Sequence, residues 1–203
     1  IHCGLVGSEM CIRDRLAHWA FDDPSADLSA VSEPNAMPAT LQGNPIIVPD
    51  GPIGSYLQLD GKDDRMSLPA TAVNLTEGAL ATWIRIQDPP ERASTLVFRF
   101  RVENARLDIR RLKDGALRVG SPAQEWNLTG TQQVPLGEWV HLAMTWSATA
   151  PAALFLNGKP AGTSDTPLKM TSCSGVLAGL SSGGGGKKKK VQIEINDQLM
   201  GVW

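Results

Sequence analysis

Leu136-Gly137-Glu138-Trp139-Val140-His141-Leu142-Ala143, followed a short interval later by Leu154-Phe155-Leu156-Asn157-Gly158-Lys159, is where the fold is most legible. The first segment runs on to Trp146 with apolar residues on both faces, which predicts a central strand over residues 139–146, buried on both sides. The second segment contains Asn157-Gly158, the pair favoured in two-residue type I′ hairpin turns because both central residues take positive φ. It predicts paired strands over 152–156 and 159–163.

The same alternation extends outward in both directions. The longest predicted strand covers 78–87, with Leu80, Thr82, Ile84 and Ile86 on one face and Ala79, Ala81, Trp83 and Arg85 on the other. Strands over 94–100, 106–111 and 116–119 continue a meander, with Lys113-Asp114-Gly115 as a hairpin turn. Upstream, 55–59 alternates, meets the turn signal Asp60-Gly61, and is followed by a short strand over 66–68. Leu16-Ala17-His18-Trp19-Ala20-Phe21 forms a first strand ended by Asp22-Asp23-Pro24. Residues 24–54 read as a long irregular connection with one short strand at 39–42. A final pair is predicted over 191–195 and 198–203. About a dozen short strands at regular spacing predict an all-β, antiparallel β-sandwich. Without an internal repeat or a second core, residues 16–203 read as one domain.

Composition agrees with this reading. The 203 residues are enough for one sizeable core, and 20 glycines and 14 prolines punctuate the short apolar runs. With 19 basic and 21 acidic residues the net charge is -2, the opposite of what a nucleic-acid binder shows. No apolar run is long enough for a membrane-spanning helix.

The two ends read differently from the rest. Leu5-Val6-Gly7-Ser8-Glu9-Met10-Cys11-Ile12-Arg13-Asp14 resembles the translation of a transposase-based sequencing adapter, so residues 1–15 are set aside as non-native. Cys3 and Cys11 go with them, leaving Cys173 as the one native cysteine. No internal disulfide follows, and Cys173 reads as a small buried hydrophobe rather than a nucleophile. At the other end the chain stops at Trp203 within a strand-like run, so the domain is expected to be C-terminally incomplete. The 183–190 run of four glycines and four lysines is either a solvated hairpin tip or a read error, and no binding role is given to it.

Several segments together resemble the laminin G-like domains of the concanavalin A-like jelly-roll superfamily. They are the opening His18-Trp19-Ala20-Phe21-Asp22, the strand and turn Leu57-Gln58-Leu59-Asp60-Gly61, and the inner strand Ala81-Thr82-Trp83-Ile84-Arg85. With them go the two segments quoted first and the closing Ile195-Asn196-Asp197-Gln198-Leu199. The resemblance implies a jelly-roll sandwich working as an extracytoplasmic, non-catalytic module that binds a carbohydrate or surface glycan. A structural or protein-adhesion role is the alternative, and a glycoside hydrolase or its accessory domain a third.

Glycoside hydrolases of this fold carry two carboxylates on alternate positions of one strand, in a Glu-x-Asp-x-Glu pattern that the chain lacks. Glu194 and Asp197 are three apart and so fall on opposite strand faces, while Asp63-Asp64 and Asp22-Asp23 are adjacent pairs in turns. Three histidines, one of them His2, assemble no zinc site, and no phosphate-binding loop occurs. The resemblance implies calcium as the one cofactor, with Asp22, Asp60, Asp63 and Asp64 as ligands; the competing reading makes them turn aspartates bonded to their own backbone. Trp126, among polar residues, is the aromatic singled out to stack on a sugar, or else to cap the sandwich edge. Trp139, Trp146 and Trp83 are expected to bury apolar area together, and His141 to be a satisfied histidine of an inner strand.

Overall fold

In a computed structural model of the chain the described residues are 15–21, 37–89, 94–102, 106–120, 126–179 and 193–201. The adapter-like stretch 5–14, Asp22 and the 183–190 run lie outside them. Among the described residues fifteen strands follow one another: β1 (Arg15–Trp19), β2 (Thr40–Gln42), β3 (Ile46–Val48), β4 (Tyr56–Leu59), β5 (Arg65–Leu68), β6 (Glu77–Ile86), β7 (Ser94–Val102) and β8 (Leu107–Leu112). They continue as β9 (Ala116–Gly120), β10 (Asn127–Gln133), β11 (Val140–Ser147), β12 (Pro151–Leu156), β13 (Lys159–Pro167), β14 (Cys173–Ala178) and β15 (Ile193–Gly201).

The strands form two antiparallel sheets. The first has the order β13-β12-β11-β6-β15-β4-β3, with β1 also paired to β15; the second has the order β10-β9-β8-β7-β14-β5-β2. Alternation turns one face of each sheet inward. Leu80, Ile84, Ile86, Val140, Leu142, Met144 and Leu154 of the first sheet meet Met66, Phe98, Phe100, Ile109, Leu117 and Val119 of the second in one core. Trp146 crosses the gap to Phe100, ring edge to face at 5.8 Å, and its indole N–H donates to the Asn74 carbonyl at 2.9 Å.

Turns form where the residue types demand them. Asn157 and Gly158 both have positive φ, 50° and 74°, as a type I′ turn requires. The Asn157 side chain also accepts the His141 backbone N–H at 2.9 Å, locking the β12–β13 hairpin onto β11. Asp60-Gly61 turns the chain too, but from β4 in one sheet to β5 in the other, beside the β2–β3 connection that makes the reverse passage.

Three expectations need correction. β11 is not apolar-buried on both sides: Val140, Leu142, Met144 and Trp146 are buried, while His141, Ala143, Thr145 and Ser147 between them are half-exposed. The predicted closing pair is one strand, β15, whose register slips between Asn196 and Leu199; the polar Asn-Asp step that suggests a turn is a bulge. Alternation gives no sign of β3, β10 or β14. β10, Asn127–Gln133, is an edge strand whose composition hides its period.

Candidate binding site

The outer face of the first sheet collects the side chains with binding chemistry. Its geometry follows from register. β6 and β11 pair His141 with Trp83 and Ala143 with Ala81, and β12 sets Phe155 opposite Ala143. Ala81 and Ala143 therefore make a low floor of small side chains, bordered by Trp83, His141 and Phe155, all half-exposed. Trp83 and His141 meet edge to face with ring centroids 5.3 Å apart.

One step along the same strands the chemistry turns polar. Arg85 lies with its guanidinium carbon 4.7 Å from the Trp139 ring centroid and 5.4 Å from that of Tyr56. Those two rings pack edge to face at 5.2 Å. Trp139 reaches this place because Gly137, at φ 73°, turns the loop before β11, and its N–H donates to the Ile86 carbonyl at 2.9 Å. Glu194 of β15 stands opposite Arg85 and is 1 % exposed although it points away from the core. It pairs with the Arg85 Nε and accepts the Gln87 side-chain amide at 3.2 Å. The Arg85 Nη2 also donates to the Tyr56 hydroxyl at 3.4 Å.

The electrostatics match this packing. The hydrogen bond to Glu194 raises the Arg85 pKa further above its ordinary value. Burial and the Glu194 charge push the Tyr56 phenol up, against the pull of Arg85. Glu194 thus works as a positioning group for a cation clamped between two rings. Glu77, the acid of β6 with matching parity, lies eight residues from Arg85, roughly 26 Å along the strand and too far to share one glycosidic bond with Glu194, while the other carboxylate whose charge reaches Tyr56 is Asp50.

Of the residues singled out from sequence, Trp139 and Trp83 lie on this outer face rather than in the core with Trp146. Their parity was legible: Trp139 shares a strand face with His141, and Trp83 shares one with Arg85. Glu194, Tyr56 and Gln87 gave no local signal, because register across three strands brings them together. Trp126 lies elsewhere, half-buried against the core, with its indole N–H donating to the Thr166 carbonyl at 3.0 Å. Cys173 is half-buried, its thiol 3.5 Å from the Gly175 carbonyl and pushed up in pKa by burial.

Asp60, Asp63 and Asp64 come together at the β4–β5 crossover, each offering an oxygen within 4.8 Å of the others. Two oxygens bound to one calcium at about 2.3–2.6 Å can stand up to roughly 5 Å apart, so the spacing fits. Asp64 also accepts backbone N–H groups of Asn44 at 2.7 Å and Asp60 at 3.0 Å, and Asp60 accepts that of Lys62 at 2.8 Å and pairs with the Lys62 ammonium at 3.1 Å. Each carboxylate oxygen keeps a further lone pair. The three aspartates could therefore hold a metal as well as their turns.

Two antiparallel sheets around one core define a jelly-roll β-sandwich. A family model described as the Concanavalin A-like lectin/glucanases superfamily, Laminin_G_3, matches residues 60–193, and the chain belongs to that family. Domain 4 of AbnA, a GH43 extracellular arabinanase from Geobacillus stearothermophilus solved with arabinotriose, superposes with a TM-score of 0.70 at 19 % identity. That match covers 93 % of this chain and 92 % of the domain. A botulinum neurotoxin type C structure, from work on cell entry through two ganglioside molecules, gives 0.74 at 11 % identity over 96 % of this chain and 49 % of its own. The binding domain of botulinum neurotoxin DC in complex with rat synaptotagmin II gives 0.68 at 10 % identity, over 93 % and 48 %. The chain thus spans about half the length of the toxin chains it matches. These likenesses show the fold. No curated protein matches the sequence. Among the described residues no helix is long and apolar enough to cross a membrane.

Proposed function

We propose that the chain is a non-catalytic carbohydrate-binding module of an extracytoplasmic protein, and that its ligand lies across the outer face of the first sheet. The carrying observation is the Ala81–Ala143 floor bordered by Trp83, His141 and Phe155, next to the Trp139–Arg85–Tyr56 cluster. A sugar ring has one apolar face and a rim of hydroxyls. The aromatic border suits the first, and Arg85, fixed by Glu194, suits the second. The burial of Glu194 and its commitment to Arg85 and Gln87 support a positioning role over a general acid.

We assign ring stacking to Trp83 and Trp139 in preference to Trp126, whose N–H is spent on Thr166. Calcium would be held by Asp60, Asp63 and Asp64, where it would supply charge neutralisation at the crossover. A protein partner is the lesser reading: Ile46 and Ile53 are exposed at and near edge strand β3, but single exposed apolar side chains are ordinary surface.

Affinity electrophoresis through gels carrying arabinan, xylan, mixed-linkage glucan, mannan and ganglioside-type oligosaccharide conjugates tests the proposal. Retention on one of them should fall roughly tenfold or more in Trp83→Ala and in Trp139→Ala, with the circular dichroism spectrum unchanged. No retention on any of them, or retention that both variants keep, overturns it.

A further inference from the structure

The opposite side of the sandwich carries a second, chemically different surface. On β7, β8 and β9 the outward positions include Arg99, Arg101, Arg110 and Arg118, with Arg106 at the entrance to β8. Among the described residues one carboxylate lies among them. Asp108 is 2 % exposed and takes the Arg99 fork in two bonds, Nε at 2.7 Å and Nη2 at 2.9 Å. It also accepts Arg110 through Nε at 3.1 Å and Nη2 at 2.9 Å, and Arg106 stands at 3.9 Å. Asp108 neutralises a single charge and holds two guanidinium planes in place. Arg101, Arg106 and Arg118 are exposed.

Register sharpens the point. Arg110 and Arg118 stand directly opposite each other across β8 and β9. Like charges in that relation cost a sheet stability, so an arrangement that keeps them suits an anion placed between. The outward neighbours on these strands, Ser94, Leu112, Ala116 and Gly120, include no aromatic ring on which a nucleic-acid base could stack. Guanidinium forks match carboxylate and sulfate oxygens in pairs. Their spacing, roughly 7 Å along a strand and 5 Å between strands, suits a polymer with repeated charges rather than one small anion.

We infer that this face binds an acidic polysaccharide, its carboxylate or sulfate groups received by Arg99, Arg101, Arg106, Arg110 and Arg118. The site is independent of the aromatic face, so the module would grip two kinds of glycan chemistry on opposite sides.

The test uses the full chain on immobilised dextran sulfate, polygalacturonate and neutral dextran at low ionic strength. The variant is Arg101→Gln/Arg106→Gln/Arg118→Gln, exposed side chains whose loss leaves the Asp108 bonds to Arg99 and Arg110 intact. Lys159→Gln removes positive charge from β13, in the other sheet. The expected result is retention on one or both acidic polymers and none on neutral dextran, falling about tenfold or more in the arginine variant and less than about twofold in the lysine variant. Preference for dextran sulfate or for polygalacturonate names sulfate or carboxylate as the group read. No retention on either acidic polymer, an equal loss in the lysine variant, or equally strong competition by duplex DNA overturns the inference. Retention on neutral polysaccharides through the aromatic face is scored separately, so either reading can fail while the other stands.

Discussion

Glu194 and Asp108 are both carboxylates that point away from the core and are nevertheless buried, and both are covered by arginine. For Asp108, burial works to raise the pKa, but the hydrogen bonds from Arg99 and Arg110 outweigh it and hold the carboxyl below its ordinary value. The sign of its contribution follows. A carboxylate with a lowered folded-state pKa adds stability above its unfolded value, and that stability drains away as pH falls through the lowered one. Asp108→Asn should therefore be less stable than the parent at pH 7, by about 2 kcal/mol as charged hydrogen bonds go. The gap should begin to shrink as pH falls past about 4, where the unfolded chain's carboxyl takes up its proton, and go on shrinking toward the lowered folded-state value. Urea unfolding of both proteins at pH values from 3 to 7 measures this. A gap that is constant over the range would mean Asp108 acts through packing and not through charge.

At the scale of the strand, β6 shows how one position is fixed by a neighbour across the sheet. Gly78 pairs with Trp146, and a β-carbon there would run into the six-membered ring of that indole. Gly78→Ala would normally help a strand, since glycine weakens one. Here it should cost about 1–3 kcal/mol by overpacking, read as a lowered urea midpoint with an unchanged slope. A variant as stable as the parent would show that Trp146 yields freely. Much of this level was legible in sequence. Alternation located β6, β7, β9 and β12 to within a residue or two, and Asn157-Gly158 marked its turn through the positive φ that both residues adopt. Where reading failed, the cause was either a pattern with too few apolar residues, as in β10, or a bulge taken for a turn, as in β15. Trp83 and Trp139 read as core by residue type, against their parity, and lie half-exposed.

For the molecule as a whole, the fold was legible because a two-sheet sandwich needs only alternation and turn chemistry to be specified. The binding faces were not, since each is assembled from strands far apart in sequence: Tyr56, Arg85, Trp139 and Glu194 on one side, Arg99 and Arg118 on the other. The edge where the sheets exchange strands is a place of its own. There the β2–β3 and β4–β5 connections pass between the sheets, and Asp64 already ties them together through the Asn44 backbone. Gly43, at φ 87°, is required there, since a side chain would collide with Asp64. Calcium held by Asp60, Asp63 and Asp64 would strengthen that tie and so stabilise both sheets at once. With the weak affinity typical of extracellular sites, a Kd of about 0.1–1 mM, calcium at roughly 10 mM should add about 1.4–2.7 kcal/mol. In a domain of this size that is a rise in Tm of roughly 3–10 °C over the chelated protein, and magnesium should give much less. Asp63→Asn, which removes one ligand without touching the backbone bonds of Asp64, should shrink the calcium effect and leave the chelated Tm where it was. An identical Tm with calcium and with chelator would mean that the three aspartates serve the crossover alone.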